Sequence, residues 1–371
     1  MKHQSYAVIM AGGRGTRFWP LSRPHHPKQL LKILSQKSLL RESVDRALPL
    51  FGPKHTLVVT VAEHYRAVRE ELRILPKTNF IVEPQGNNTA PCIGLAAAEL
   101  ARRDPDAIMT ILPADHWVSN PNSFLRTVKS AVRLAREHDA LVTIGMRPTY
   151  PETGYGYILK GGEIKGTGGA PFYRVKGFKE KPNARMAGRL MRRGSLWNSG
   201  IFVWKVSTIL AMLSRFSPAI SHGLQRIQEA ARGRGLANPP PSIQSVLRRE
   251  YRKMPNISID YAVLEKAGSE GRVLTLEANF GWSDVGNWAA VHRMLPQDRS
   301  GNAGIGKWLG VQSKECLVYS PDRLVALLGV RGIVVVDTAD ALLVADIKRS
   351  QEVKDLVEEL KRKGHGRYTV R

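Results

Sequence analysis

Up to Gly145 the chain alternates short β-rich apolar runs with segments of helical period, and that rhythm limits the fold more than any other feature. The pattern predicts strands at Tyr6–Met10, Thr56–Val61, Asn79–Val82, Ala107–Leu112 and Ala140–Gly145. It predicts helices near Ser38–Ala47, Tyr65–Leu72, Ala90–Arg103 and Ser123–His138. Alternation of this kind builds βαβ units, an α/β fold with a mainly parallel, Rossmann-like sheet and helices on both faces. Ligands of such sheets sit beyond the carboxyl ends of the strands. Two stretches fall there: Ala11–Leu31 after the first strand, and "LPADH", Leu112–His116, after the fourth.

Past Gly145 the pattern changes. Tyr155–Leu159 and Tyr173–Glu180 read as strands joined by the glycine-rich "KGGEIKGTGGAP", and Leu196–Trp204 as another. Helices are predicted at Val206–Phe216, Ile220–Ala231 and near Ile243–Lys253, with "RGRGLANPPPS" as a mobile surface loop by composition. "EANFGWSDVGNW", Glu277–Trp288, reads as a second substrate loop. From about Asn302, short apolar runs at Leu317–Tyr319, Leu324–Leu328, Ile333–Val336 and Ala341–Ala345 are separated by turn residues. They predict a small all-β appendage, followed by an amphipathic helix over Gln351–Lys363 and a mobile tail, "GHGRYTVR". The expected division is a catalytic domain over 1–295 and a β-rich domain over 296–371.

A length of 371 residues and a hydrophobic fraction of 43% suit two globular domains. No apolar stretch approaches the ~20 residues of a membrane span. The N-terminus runs straight into a strand pattern, so a cytoplasmic protein without a signal peptide is expected. Cys92 and Cys316 stand far apart and outside any CxxC setting, which argues against a zinc site or a disulfide framework. The net charge of +24 admits nucleic acid, an anionic membrane or small anionic substrates. The positive charge is spread along the whole chain, with no basic helix bearing interleaved aromatics. Neither a nucleic-acid nor a membrane partner is therefore expected.

The stretch 11–31 holds three glycines, three arginines, one lysine and no acidic residue. Glycines let backbone N–H groups approach an anion, while Arg14, Arg17 and Lys28 offer charged donors and Thr16 a hydroxyl. The composition suits a polyphosphate, or a glycine-rich turn with solvated arginines. Two familiar phosphate loops are excluded. No Lys-Ser or Lys-Thr stands at P-loop spacing. A dinucleotide loop needs glycine where Phe18 stands.

"GGRGTRFWPLS…PKQ" resembles the signature of the sugar nucleotidyltransferases, and its Phe-Trp-Pro-Leu-Ser and PKQ form is similar to the branch that transfers guanylyl groups to mannose 1-phosphate. "EPQGNNTAP", "LPADH", "TGYGYI", "FKEKP", "WNSGIFVW", "SIDYAV" and "GWSDVGNW" follow in that family's order, from about Tyr6 to Trp288. The resemblance implies a GT-A-like nucleotidyltransferase domain with a small β-helix-like C-terminal domain. It implies transfer of GMP from GTP to mannose 1-phosphate, giving GDP-mannose and pyrophosphate, with Mg²⁺ or Mn²⁺ as cofactor. Some members carry a further isomerase domain. The chain ends soon after the β-rich region, so the short form without isomerase activity is expected, with a homodimer as a plausible assembly.

The chemistry needs no protein nucleophile, because the attacking sugar phosphate is already an anion. The protein must bring two anions together and neutralise charge. By resemblance, Ala11, Gly12, Gly13, Arg14, Gly15, Thr16, Arg17 and Lys28 hold the nucleotide, with Glu83, Pro84, Asn87, Asn88 and Thr89 as the guanine-recognition segment. Asp115 and Asp284 are the expected metal ligands; each is also an ordinary turn former or helix cap. Arg17, Lys28, Asp115, Lys181 and Asp284 form the expected catalytic set. Gly154, Tyr155, Gly156, Glu180, Lys181, Asn198 and Asp260 are expected to bind the sugar phosphate. For each of these a local role competes, as hairpin turn, solvated charge run or helix cap. Asn88 and Thr89 suit the N-cap of the following helix, and Cys92 a small buried hydrophobe. Asn87 stands where the family pattern has Arg or Lys, and an amide cannot supply that cationic contact. The alternatives are another base or hexose, or a non-catalytic nucleotide or nucleic-acid binding protein.

Overall fold

The computed structural model of the chain describes residues 4–13, 15–164, 171–237 and 239–370. Arg14, expected in the phosphate loop, and residues 165–170 of the glycine-rich connector lie outside them. The chain divides into two compact units. The first comprises Met1–Gly12, Ser43–Ala114 and Val118–Trp282; the second comprises Gly13–Glu42, Asp115–Trp117 and Ser283–Arg371.

The first unit is built on a nine-stranded sheet. Its strands are β1 (Ser5–Ala11), β2 (Thr56–Val61), β3 (Phe80–Glu83), β4 (Ile108–Pro113) and β5 (Leu141–Met146), then β6 (Tyr157–Ile164), β7 (Phe172–Lys179), β8 (Leu196–Lys205) and β9 (Val273–Ala278). Their order is β3-β2-β1-β4-β8-β5-β9-β7-β6, with a further β8–β6 pairing. The β1–β2, β1–β4, β2–β3 and β5–β9 pairs are parallel, whereas β8 runs antiparallel between β4 and β5. Every residue of β2 and β5 is buried, as expected of strands covered on both faces.

Among the described residues, eight α-helices of this unit precede residue 254, and three of them start at an asparagine whose side chain caps the first turn. The eight are α1 (Leu39–Phe51), α2 (Tyr65–Glu71), α3 (Thr89–Arg103), α4 (Pro121–Glu137), α5 (Ala184–Arg192), α6 (Val206–Phe216), α7 (Pro218–Ala231) and α8 (Pro241–Lys253). Asn88 Oδ1 accepts from the Thr89 amide at the start of α3, and Asn120 caps α4 ahead of Pro121. The expectation of a mobile loop after α7 needs correction. Leu236 in that loop is buried, and its amide donates to Glu99 Oε2 at 2.8 Å.

The second unit gathers residues distant in sequence around one apolar core. Phe18, Trp19 and Leu31 come from the glycine-rich stretch, Val285 and Trp288 from "GWSDVGNW", and Leu317, Val334, Val336 and Val353 from the C-terminal part. Its four-stranded sheet comprises β10 (Ala303–Val311), β11 (Leu317–Leu328), β12 (Ile333–Asp337) and β13 (Leu342–Asp346). β10–β11 and β11–β12 are parallel: Ala303 pairs with Leu317, and Leu317 with Val334, so rungs repeat after 14 and then 17 residues. This is a coil of β-structure rather than a meander. Helices α9 (Trp288–Met294) and α10 (Val353–Arg362) complete the unit.

Three expectations change here. The runs Leu317–Tyr319 and Leu324–Leu328 belong to the single strand β11, whose ladder with β10 shifts register between them, from Ser320 to Val325. The glycine-bearing β10 has no apolar run to announce it. The tail is anchored, since Trp19 Nε1 donates to the Tyr368 carbonyl at 2.8 Å and Thr369 is buried. Among the described residues no helix is long and apolar enough to cross a membrane.

Candidate functional site

Within the second unit, a cavity of about 310 Å³ is lined by Thr16, Arg17, Lys28, Asp115, His116 and Asp284, together with Lys354 of α10. Lys28 organises it. Its stem is buried and its Nζ donates to Asp115 Oδ2 at 2.8 Å and to the Asp284 carbonyl at 2.6 Å. One cation thus ties together two stretches that stand far apart in sequence. Burial pushes the Asp115 carboxyl up, but the Lys28 charge and then His116 outweigh it, leaving the group below the usual carboxylate range. Asp115 is accordingly an anion at neutral pH.

Gly15 is held at φ +66°, and a Cβ built there falls 2.2 Å from Lys28 Cβ. Only glycine lets Lys28 approach so closely. The Ser22 hydroxyl fixes the turn by donating to the Gly15 carbonyl at 2.6 Å. Val285, next to Asp284, lies at φ +48° although it is β-branched and fully buried. That conformation is a true outlier for valine, and it sits beside a residue lining the cavity. Six non-glycine residues have positive φ among the described residues; Asn88, Lys181 and Val285 fall in three of the quoted motifs.

The expected sugar-binding residues meet in the first unit. Asn198 Nδ2 donates to Asp260 Oδ1 at 2.7 Å, and the Asn198 amide donates to the Gly156 carbonyl at 2.8 Å. A Cβ on Gly156 would fall 2.6 Å from Glu180 Oε2, so the absence of a side chain makes room for that carboxylate. Lys181 Nζ donates to Glu180 Oε1 at 2.7 Å. Burial, and then the Glu180 charge, push Asp260 up to about 6. The cluster offers carboxylate acceptors, an amide and one exposed ammonium, a set suited to hydroxyls beside a phosphate. Gly154 and Tyr155 precede it, and the Tyr155 ring packs edge-on against Trp197 at 5.2 Å.

The "EPQGNNTAP" segment turns more of its side chains inward than its sequence suggests. Glu83 is buried and accepts from the Tyr251 hydroxyl. Burial lifts its carboxyl to about 7, against the pull of hydrogen bonds from Tyr251 and Cys92. Cys92 is therefore a hydrogen-bonding partner as well as a buried hydrophobe. Asn87 is also buried, and its Nδ2 donates to the carbonyls of Tyr251 at 2.9 Å and Met254 at 3.3 Å. It ties the segment to the end of α8. Thr89 Oγ1 accepts from the Ile259 amide at 2.8 Å, next to Asp260. Pro84 lies between Glu83 and this anchored turn, and the Glu83 carboxylate abuts Gly12 beyond Ala11 at the end of β1.

Sequence reasoning missed Tyr251 and Lys354. Both lie on ordinary amphipathic helices, where a tyrosine and a lysine carry no local signal. Among the described residues no group of three or more His, Cys, Asp or Glu is placed to hold a metal ion. Asp115 and Asp284 line one cavity as a pair of hard oxygen donors, which fits a cation that takes its other ligands from phosphates and water.

Residues 6–301 match the family model described as nucleotidyl transferase, and residues 306–360 match that of the MannoseP isomerase/GMP-like beta-helix domain. The chain is 40% identical over 367 residues to a mannose-1-phosphate guanylyltransferase of Escherichia coli, covering 97% of this chain and 75% of that protein. It is 39% identical over 367 residues to the mannose-1-phosphate guanylyltransferase of Klebsiella pneumoniae, with the same coverage. Among solved structures, a Thermus thermophilus protein described as a mannose-1-phosphate geranyltransferase superposes with a TM-score of 0.85 at 35% identity, covering 96% of this chain and 99% of that one.

Proposed function

The chain belongs to the nucleotidyl transferase family, among the mannose-1-phosphate guanylyltransferases, and on that premise we propose that it transfers GMP from GTP to mannose 1-phosphate, releasing pyrophosphate. The observation that carries this reading is the convergence of Lys28, Asp115 and Asp284 on one cavity.

A phosphate oxygen of the sugar attacks the α-phosphorus, and the bond to the bridging oxygen breaks in line with it. Arg17, Thr16 and the glycine-rich backbone bind the triphosphate, while Lys28 keeps Asp115 ionised and fixed in direction. Nucleotidyltransferases generally use a divalent metal; here Asp115 and Asp284 would hold Mg²⁺ or Mn²⁺, which neutralises charge on the phosphates when bound. Glu180, Asn198 and Asp260 orient the sugar hydroxyls, and Lys181 binds the sugar phosphate. Glu83 and the turn at Asn87–Thr89 shape the base pocket. The Asn87 side chain is directed into the protein, so it anchors this turn instead of supplying the cationic contact usual at this position.

The test is to incubate the protein with Mg²⁺, GTP and mannose 1-phosphate and to assay GDP-mannose and pyrophosphate, with ATP, UTP and dTTP in parallel. Asp115→Asn and Asp284→Asn are each expected to lower turnover at least a hundredfold while retaining the fold. No product with GTP, or full turnover in both variants, would overturn the assignment.

A further inference from the structure

Lys28 is already committed to Asp115 and to the Asp284 carbonyl, yet the cavity must receive a ligand with several negative charges. Two more described cations line it, Arg17 and Lys354. Neither forms an ion pair with a described residue. Lys354 comes from the C-terminal helix α10, far in sequence from every motif quoted above.

The placement of Lys354 is structurally enforced. Its neighbour Val353, and Val357 one turn later, are buried in the core that also holds Phe18. Helix α10 packs on the Thr16–Phe18 turn, so the first turn of the helix faces the phosphate loop. The side chain is itself exposed, as a reversible contact to a departing group requires. A mobile ammonium acts as a point charge that can follow a moving anion.

We propose that Lys354 binds the pyrophosphate leaving group, so that the β-rich C-terminal region contributes a side chain to the reaction. As the new bond to the α-phosphorus forms, the bond to the bridging oxygen breaks, and its electron pair leaves on pyrophosphate. Lys354 receives that charge without transferring a proton. This inference rests on the guanylyltransferase reading of the cavity and names a residue which that reading does not require.

The experiment compares wild type, Lys354→Ala and Lys354→Arg in the reverse direction, from GDP-mannose and pyrophosphate. Lys354→Ala should raise the KM for pyrophosphate about tenfold, the low end for a charged hydrogen bond because the group is exposed. The KM for GDP-mannose should not move, and Lys354→Arg should recover most of the loss. A purely structural role for the helix would disturb both KM values together. An unchanged pyrophosphate KM, or equal shifts for both substrates, overturns the proposal. Pyrophosphate-induced protection against thermal unfolding gives a readout that needs no turnover. Protection lost in Lys354→Ala and regained in Lys354→Arg supports the assignment even if the sugar or base reading fails; equal protection in all three proteins refutes it.

Discussion

Replacing Gly15 by alanine tests the geometry of the site at its tightest point. Two costs follow from the structure. The φ of +66° places a non-glycine residue in the left-handed region, at about 1–2 kcal/mol. The added methyl carbon falls 2.2 Å from Lys28 Cβ and 3.1 Å from the Lys28 backbone nitrogen. Neither atom is the end of a flexible chain, so the backbone has to move. Overpacking of this kind costs about 1–3 kcal/mol. Together the variant should lose about 2–5 kcal/mol, read by urea unfolding of the second unit with Trp19 and Trp288 as fluorescent reporters. Relieving the overlap shifts Lys28 by more than an ångström, which breaks its contacts at 2.8 and 2.6 Å. Misplacement on that scale lowers kcat by about a hundredfold. Gly13→Ala is the control for stability, since a Cβ there meets nothing within 4 Å. If Gly15→Ala unfolds at the wild-type urea concentration and turns over normally, the claim that Lys28 is positioned by this contact is wrong.

Tyr251→Phe removes the donor to the buried Glu83 while keeping the ring. It should raise the KM for GTP several-fold with little change in kcat, and cost about 1–3 kcal/mol of stability; equal KM values would separate Tyr251 from the base pocket. Asp260 has its folded pKa at about 6, above the ordinary 3.8, so the native state binds this proton more tightly than the unfolded chain. The stability tied to that proton is complete below about pH 4 and is lost as pH rises through about 6. Urea unfolding of wild type and Asp260→Asn across that window should show a falling contribution in the former alone; parallel pH curves would contradict it. Deletion of residues after Gly301 should yield protein that binds hydrophobic dyes and lacks turnover, because Phe18, Trp19 and Trp288 lose their β-strand partners. A soluble, active truncation would show that this core is dispensable.

Much of the first unit was legible in the sequence because its signals are local. The apolar runs of β2 and β5, the Asn88–Thr89 cap of α3, and the turn residues between elements act within a few positions. The two aspartates and Lys28 were legible as residues through the resemblance of their motifs, although no spacing argument placed them together. What stayed hidden depends on long-range pairing. Asn87 reads as a weakened base contact until the carbonyls of Tyr251 and Met254 are seen to accept its amide. Strand β10 carries its glycines in a coil whose partner lies a full rung later. Lys354 acquires meaning only when burial of Val353 fixes its helix against the phosphate loop.

The shared core of the second unit also sets a timetable for the newborn chain. The ribosome delivers Phe18 and Trp19 early, but Val334, Val336 and Val353 emerge more than 300 residues later. At synthesis rates of about 5–20 residues per second, the glycine-rich stretch waits roughly 15–60 seconds for the surface that will cover its aromatic rings. Throughout that delay the aromatic rings behind the future phosphate pocket lack the strands that cover them in the folded enzyme, so the pocket cannot form until residues beyond Val353 have left the ribosome.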